Sequence, residues 1–147
     1  MSREVRWFIR SAMVWLVLGV ALGLALDIAP VRFALLRPAH LHMNLLGFMS
    51  LMIFGVAYHI LPRFTGARVR SESLIRANLA LSNLGLALMV SGWVVRQFPF
   101  GTPDTTSAVL LASGGILAGA GAVSFVANTW TMLSSGPPSS GMAGGPP

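Results

Sequence analysis

The chain has no cysteine and no lysine, one tyrosine, three histidines and four acidic residues in 147 positions. Without cysteine there are no disulfides, no cysteine-ligated iron–sulfur clusters and no c-type haem attachment through CxxCH. Charged residues make up 10% of the chain and hydrophobic ones 54%, against about 25% charged in a soluble domain. With a positive mean hydropathy, this composition describes an integral membrane protein. The net charge of +6 comes from arginine alone. Nucleic-acid binding would need those charges gathered on a soluble face. Here they flank apolar runs and act as topology signals, so no nucleic-acid partner is expected.

The apolar runs predict an all-α fold, an integral membrane four-helix bundle with spans over about 7–26, 39–61, 74–95 and 106–133, each near the ~20 residues that cross a bilayer. Residues 1–133 form this bundle, and 134–147 (SSGPPSSGMAGGPP) read as a disordered Gly/Pro/Ser tail. A signal peptide competes for the first run. That run is longer than a typical h-region, however, and no convincing small-x-small cleavage site follows. Gly19 and Gly23 form a GxxxG step that permits close helix approach. Asp27–Pro38 is a short loop in which Val31–Leu36 can lie as one helical turn, presenting Arg32 and Arg37. Pro62 is expected to stop the second helix at Leu61. The small or polar stripe Asn78, Ser82, Gly85, Met89 and Gly92 is a packing face, with Asn78 and Asn83 as interhelical hydrogen-bonding residues. Asp104, Thr105 or Thr106 caps the fourth span. Trp93 and Trp130 suit the aromatic belts.

Arginine sets the orientation. Seven (Arg3, Arg6, Arg10, Arg63, Arg68, Arg70, Arg76) share one side and three (Arg32, Arg37, Arg96) the other. The positive-inside rule then places both termini in the cytoplasm, in a multi-pass protein of the cell inner membrane.

The chain is organised around Ala39–Phe64, AHLHMNLLGFMSLMIFGVAYHILPRF, which holds all three histidines. An ionisable side chain at membrane depth is costly and marks a functional site by default. On a regular helix His40, Asn44, Gly47, Leu51, Gly55 and Tyr58 form one stripe, expected to pack on the Asn78–Ser82–Gly85 face of the third span. His42 lies roughly 160° away, on an otherwise apolar stripe with Leu46, Met49, Ile53, Val56 and Ile60, and is therefore expected to be the more telling of the pair. One regular helix cannot direct both rings at one metal ion, but they can serve separate ligands. Alternatively, His40 hydrogen-bonds a neighbouring helix and His42 reaches the headgroup region. His59, about 25 Å further along, reads as an interfacial hydrogen-bonder beside Arg63.

HxH, a following Leu-Gly step, a long apolar run and Tyr58-x-x-x-Pro62-Arg63 together resemble the tenth transmembrane helix of subunit I of the haem–copper oxidases. The similarity is to the C-type (cbb) oxidases and the related nitric oxide reductases and nitrite-response haem membrane proteins. It covers about 26 of the 147 residues. The resemblance implies His40 as ligand to a high-spin haem iron and His42 as ligand to a low-spin one. Arg32 and Arg37 are suited to haem propionates through charge-assisted pairs, and Asn44 and Tyr58 complete the candidate cofactor-binding set. The family's copper centre needs histidines on other helices. This chain has none outside the second span, so no complete oxygen-reducing site and no copper are expected.

Two functions follow as expectations. The first is a haem-binding membrane protein carrying haem b, working in electron transfer or in oxygen or nitric oxide binding with a redox partner. If it is catalytic, it is an oxidoreductase acting through haem. Bis-histidine ligation would then take a histidine from another protomer of a homo-oligomer or from a partner membrane subunit. The alternative is a non-catalytic accessory or assembly subunit of a respiratory membrane complex. A small transporter or channel is the weakest reading, with no acidic residue inside a span and no broken-helix pair.

Overall fold

In the computed structural model of the chain, which describes residues 1–66, 71–99, 101 and 103–134, the four apolar runs are four long helices. They span Arg3–Ile28, Ala34–Thr65, Glu72–Gln97 and Asp104–Ser134. All four are long and apolar enough to cross a membrane, and the described residues contain no strand. Each extends past its expected bounds, because hydropathy marks the apolar centre while backbone hydrogen bonding continues into the interface. Ser2 and Ser71 set two of the starts. Their hydroxyls accept from Val5 N (3.3 Å) and Leu74 N (3.4 Å) and satisfy one orphan N–H each. The fourth helix begins at Asp104 itself, ahead of the expected Thr106. Arg68, Arg70, Phe100 and the tail after Ser134 lie outside the described residues.

Two expectations about the second helix are corrected. Pro62 does not end it: the helix runs on to Thr65 and stops at Gly66, whose φ of 66° is left-handed backbone that a glycine adopts without strain. The missing proline N–H costs one backbone bond, which does not by itself reverse the chain. The helix is also not regular. A 3-10 turn at Ala34–Leu36 leads into an α segment, Arg37–His42, with Pro38 in its first turn, and then into a π-helical stretch, Met43–Ser50. Such i→i+5 stretches are rare and occur mostly as single turns, frequently at functional sites. Two residues fit this one. The Ser50 hydroxyl donates to the carbonyl of Leu45, five residues back, at 2.9 Å. Gly47, buried, lets the backbone close on Trp15 and Leu86, where a Cβ would stand 2.5 and 2.8 Å from their side-chain atoms.

The helices alternate in direction. Helices one and two meet through Gly23 with His40, Gly19 with Asn44, Gly47 with Trp15 and Gly55 with Phe8, so their residue numbers run oppositely. The same holds for helices three and four through Gly121 with Asn78 and Ser82, Gly85 with Gly114 and Ala118, and Gly92 with Leu111. With four alternating helices, the N-terminus and Ser134 lie on one side of the bundle. The His40–Tyr58 stripe faces protein, but its main partner is the first helix and not the third. The Asn78–Ser82–Gly85 face is occupied by the fourth helix, whose glycines admit it backbone to backbone.

An aromatic cluster ties the two pairs together at the end where the chain begins. Phe8 packs on Phe54 and Tyr58 (ring centroids 6.4 and 5.7 Å), and Phe125 packs on the same two rings (4.3 and 5.3 Å). Asn78 donates to the Tyr58 hydroxyl at 3.3 Å, and Trp15 Nε1 donates to Asn83 Oδ1 at 3.0 Å. Both asparagines therefore bridge helices, each such bond contributing about 0.6 kcal/mol in a membrane.

Candidate functional site

His40 reaches across to the first helix. Its Nδ1 lies 2.8 Å from the Gly19 carbonyl. A carbonyl only accepts, so Nδ1 carries the proton and Nε2 keeps its lone pair. Asn44 is held one turn along the same helix: its amide donates to the His40 carbonyl at 2.9 Å, and its 3.4 Å approach to Nδ1 is no hydrogen bond once that nitrogen carries the proton. The glycine step of the first helix is the seat for these two side chains. A Cβ at Gly23 would stand 2.7 Å from His40 Cε1, and one at Gly19 would stand 2.7 Å from Asn44 Nδ2. The expected close approach is real, but the glycines admit an imidazole and an amide rather than another backbone. Beside the ring lies a cleft of about 530 Å³ lined by Gly23, Leu26, Asp27, Pro30, Arg37 and His40.

His42 is held differently. Its Nδ1 is 2.8 Å from the carbonyl of Pro38, one turn back on its own helix. This again places the proton on Nδ1. Its ring packs on Trp93 of the third helix, with centroids 4.7 Å apart and planes tilted by 44°. Trp93 is buried with Leu36 and Ala39, so it is the floor under His42 and not part of an interfacial belt. Leu46, Met49, Ile53, Val56 and Ile60 are exposed as expected. His42 departs from that stripe because it precedes the π segment and turns toward the third helix.

The remaining candidates separate. Arg37 shares the His40 cleft, whereas Arg32 lies with its guanidinium carbon 5.6 Å from the Phe33 ring centre. Tyr58 is buried at the far end of the second helix with Asn78, away from both HxH imidazoles. Sequence reasoning missed Trp93, Asp27 and the Gly19 carbonyl. Asp27 could have been found as the acid ending the first span. A backbone carbonyl leaves no mark in a sequence.

The described residues contain no group of three or more His, Cys, Asp or Glu side chains placed to hold a bare metal ion. Haem makes a smaller demand, because the porphyrin supplies four nitrogens and the protein only one or two axial ligands. A histidine whose Nδ1–H is fixed by a carbonyl is the usual axial arrangement, since the second bond orients the ring and raises the basicity of the free nitrogen. His40 meets that requirement and opens on a cleft. No family model, curated protein or solved structure matches the chain.

Proposed function

We propose that this chain is a multi-pass membrane protein that binds b-type haem through His40 and serves electron transfer or the binding of oxygen or nitric oxide. The observation that carries this reading is the orientation of His40. Its Nδ1–H is committed to Gly19, the ring is seated over Gly23, and Nε2 is left as the ligating atom beside a cleft. Arg37 in the same cleft would take a propionate through a forked ion pair. When bound, the iron would supply one-electron exchange or a site for a diatomic gas. The protein's part is to hold the imidazole in one tautomer and to place a cation where the propionates need it.

No second histidine of this chain serves the same cleft, because His42 faces Trp93 and His59 lies near the opposite end of the helix. A six-coordinate haem would therefore take its other ligand from a second copy or a partner membrane subunit. The resemblance to oxidase subunit I supports the same assignment, without copper. If the protein is catalytic, it is an oxidoreductase acting through haem.

A second reading, an accessory or assembly subunit of a respiratory complex, is favoured by His42, which is fully accounted for as a packing residue on Trp93. Oxidised and reduced absorption spectra of the purified protein separate the two readings. A Soret band that follows the chain supports the first, and a colourless protein from haem-replete cells supports the second.

The topology proposed with this function has both termini in the cytoplasm of a cell with an inner membrane, on the arginine bias. A reporter fused after Pro147 is expected to be active only on the cytoplasmic side. Periplasmic activity would reverse the orientation and put the His40 cleft on the inner face.

A further inference from the structure

At the end of the bundle where the first and third helices begin, a cleft of about 270 Å³ is lined by Arg3, Glu4, Trp7, Arg76 and Leu79. We propose that this cleft binds the headgroup phosphate of an anionic glycerophospholipid. Two arginines from different helices line it, and neither is neutralised firmly. Arg76 pairs only with Glu72 at 3.7 Å, through side chains 64% and 79% exposed, a solvent-screened contact. Arg3 has no ion-pair partner among the described residues.

Both helices also present their N-terminal ends here, so their dipoles add positive potential at the same level. Below the guanidiniums the wall becomes apolar through Trp7 and Leu79, as the glycerol and first methylenes of a lipid require. Trp7 is 46% exposed, and the Arg10 guanidinium carbon stands 5.4 Å from its ring centre. An indole at this depth is suited to the headgroup boundary. The positive-inside bias accounts for arginines on this side. It does not account for two of them, from separate helices, lining one cleft together with a tryptophan. Basic pockets of this kind between transmembrane helices hold anionic headgroups. Glu4 and, through its screened contact with Arg76, Glu72 oppose the two arginines, and Arg10 beside Trp7 leaves the five groups with a net single positive charge for a phosphodiester.

The test is native mass spectrometry of the full chain released from detergent, titrated with phosphatidylglycerol, phosphatidylcholine or inorganic phosphate. Phosphatidylglycerol is expected to be retained in preference to the other two. Arg3→Gln and Arg76→Gln are each expected to weaken it about 5-fold, the effect of one surface cation on an anionic lipid. Glu4→Gln is expected to tighten it, a gain that misfolding cannot imitate. Arg96→Gln, at the opposite end of the bundle, is the control and is expected to change nothing. Equal retention of phosphatidylcholine would overturn the proposal, as would inorganic phosphate binding as tightly as the lipid. Undiminished phosphatidylglycerol binding in the Arg3→Gln/Arg76→Gln double variant would overturn it too.

Discussion

His40→Ala is expected to abolish the Soret absorption of the purified protein, whereas His42→Ala leaves most of it. The first change deletes the imidazole that lines the cleft and is held by Gly19, and no other histidine of the chain lines it. The second deletes a ring that packs on Trp93 and bonds Pro38 in its own helix. Its cost is one aromatic contact, about 1 kcal/mol of stability. Gly23→Ala tests the seat without touching the ligand. Its Cβ would stand 2.7 Å from His40 Cε1, so the ring must shift away from the Gly19 carbonyl. The expected result is retained haem with a displaced band and weaker affinity. Spectra of the three variants at matched protein levels decide. Equal haem in His40→Ala and the parent would remove His40 as the ligand, and a haem-free parent leaves the accessory-subunit reading.

Gly85→Ala is expected to be the most destabilising single methyl group in the bundle, at about 2–3 kcal/mol for overpacking a site that cannot relax. A Cβ there meets the backbone nitrogen of Ala118 and would stand 2.6 Å from the carbonyl oxygen of Gly114. Backbone cannot rotate aside as a side chain can, so the third and fourth helices must separate. Gly114→Ala meets the Gly85 carbonyl at 2.6 Å and Met89 N at 2.7 Å, and is expected to cost a similar amount. Because the two positions share one contact, the double variant should cost less than the sum. One step round the fourth helix, Gly115 and Gly119 have nothing within 4 Å. Alanine at either is expected to be neutral or to stabilise by up to about 1 kcal/mol through lower backbone entropy. Denaturation in mixed micelles, followed by helical circular dichroism, measures the four single variants and the double. If Gly85→Ala unfolds at the same point as Gly115→Ala, the close backbone contact is not present in solution.

The architecture was legible because a bilayer leaves few choices. Apolar runs of sufficient length must be helices, whereas their ends, set by Ser2, Ser71 and Gly66, lie outside the apolar runs and were not marked by hydropathy. Asn78 and Asn83 could be assigned to interhelical bonds because an amide in a span needs a partner. What was not legible came from contacts between residues distant in the chain. The stripe on the second helix identified a buried face but not its partner, since glycines on the first, third and fourth helices all offer close approach. The π segment was invisible because Met43–Ser50 reads as ordinary apolar helix, and its bonding pattern depends on Gly47 meeting Trp15. That irregularity reversed the order of interest between the histidines. On a regular helix His42 stands isolated among lipid-facing residues, but in the fold it has Trp93.

Asn128 gives the fold a timetable. Its side chain behaves as a detached peptide group: Oδ1 accepts from Ser71 N at 3.2 Å and Nδ2 donates to Ser71 O at 3.1 Å, clasping the residue that caps the third helix. The two residues are 57 positions apart. At roughly 5–20 residues per second of synthesis, about 3–11 s pass between making Ser71 and making its partner. For most of that interval, until Leu111, Gly114 and Ala118 are made, the third helix has no fourth helix over Gly92 and Gly85, so its glycine face stays uncovered. The nascent protein is therefore a three-helix species with an open seam until its last span arrives, and residue 128 is the latch that closes it.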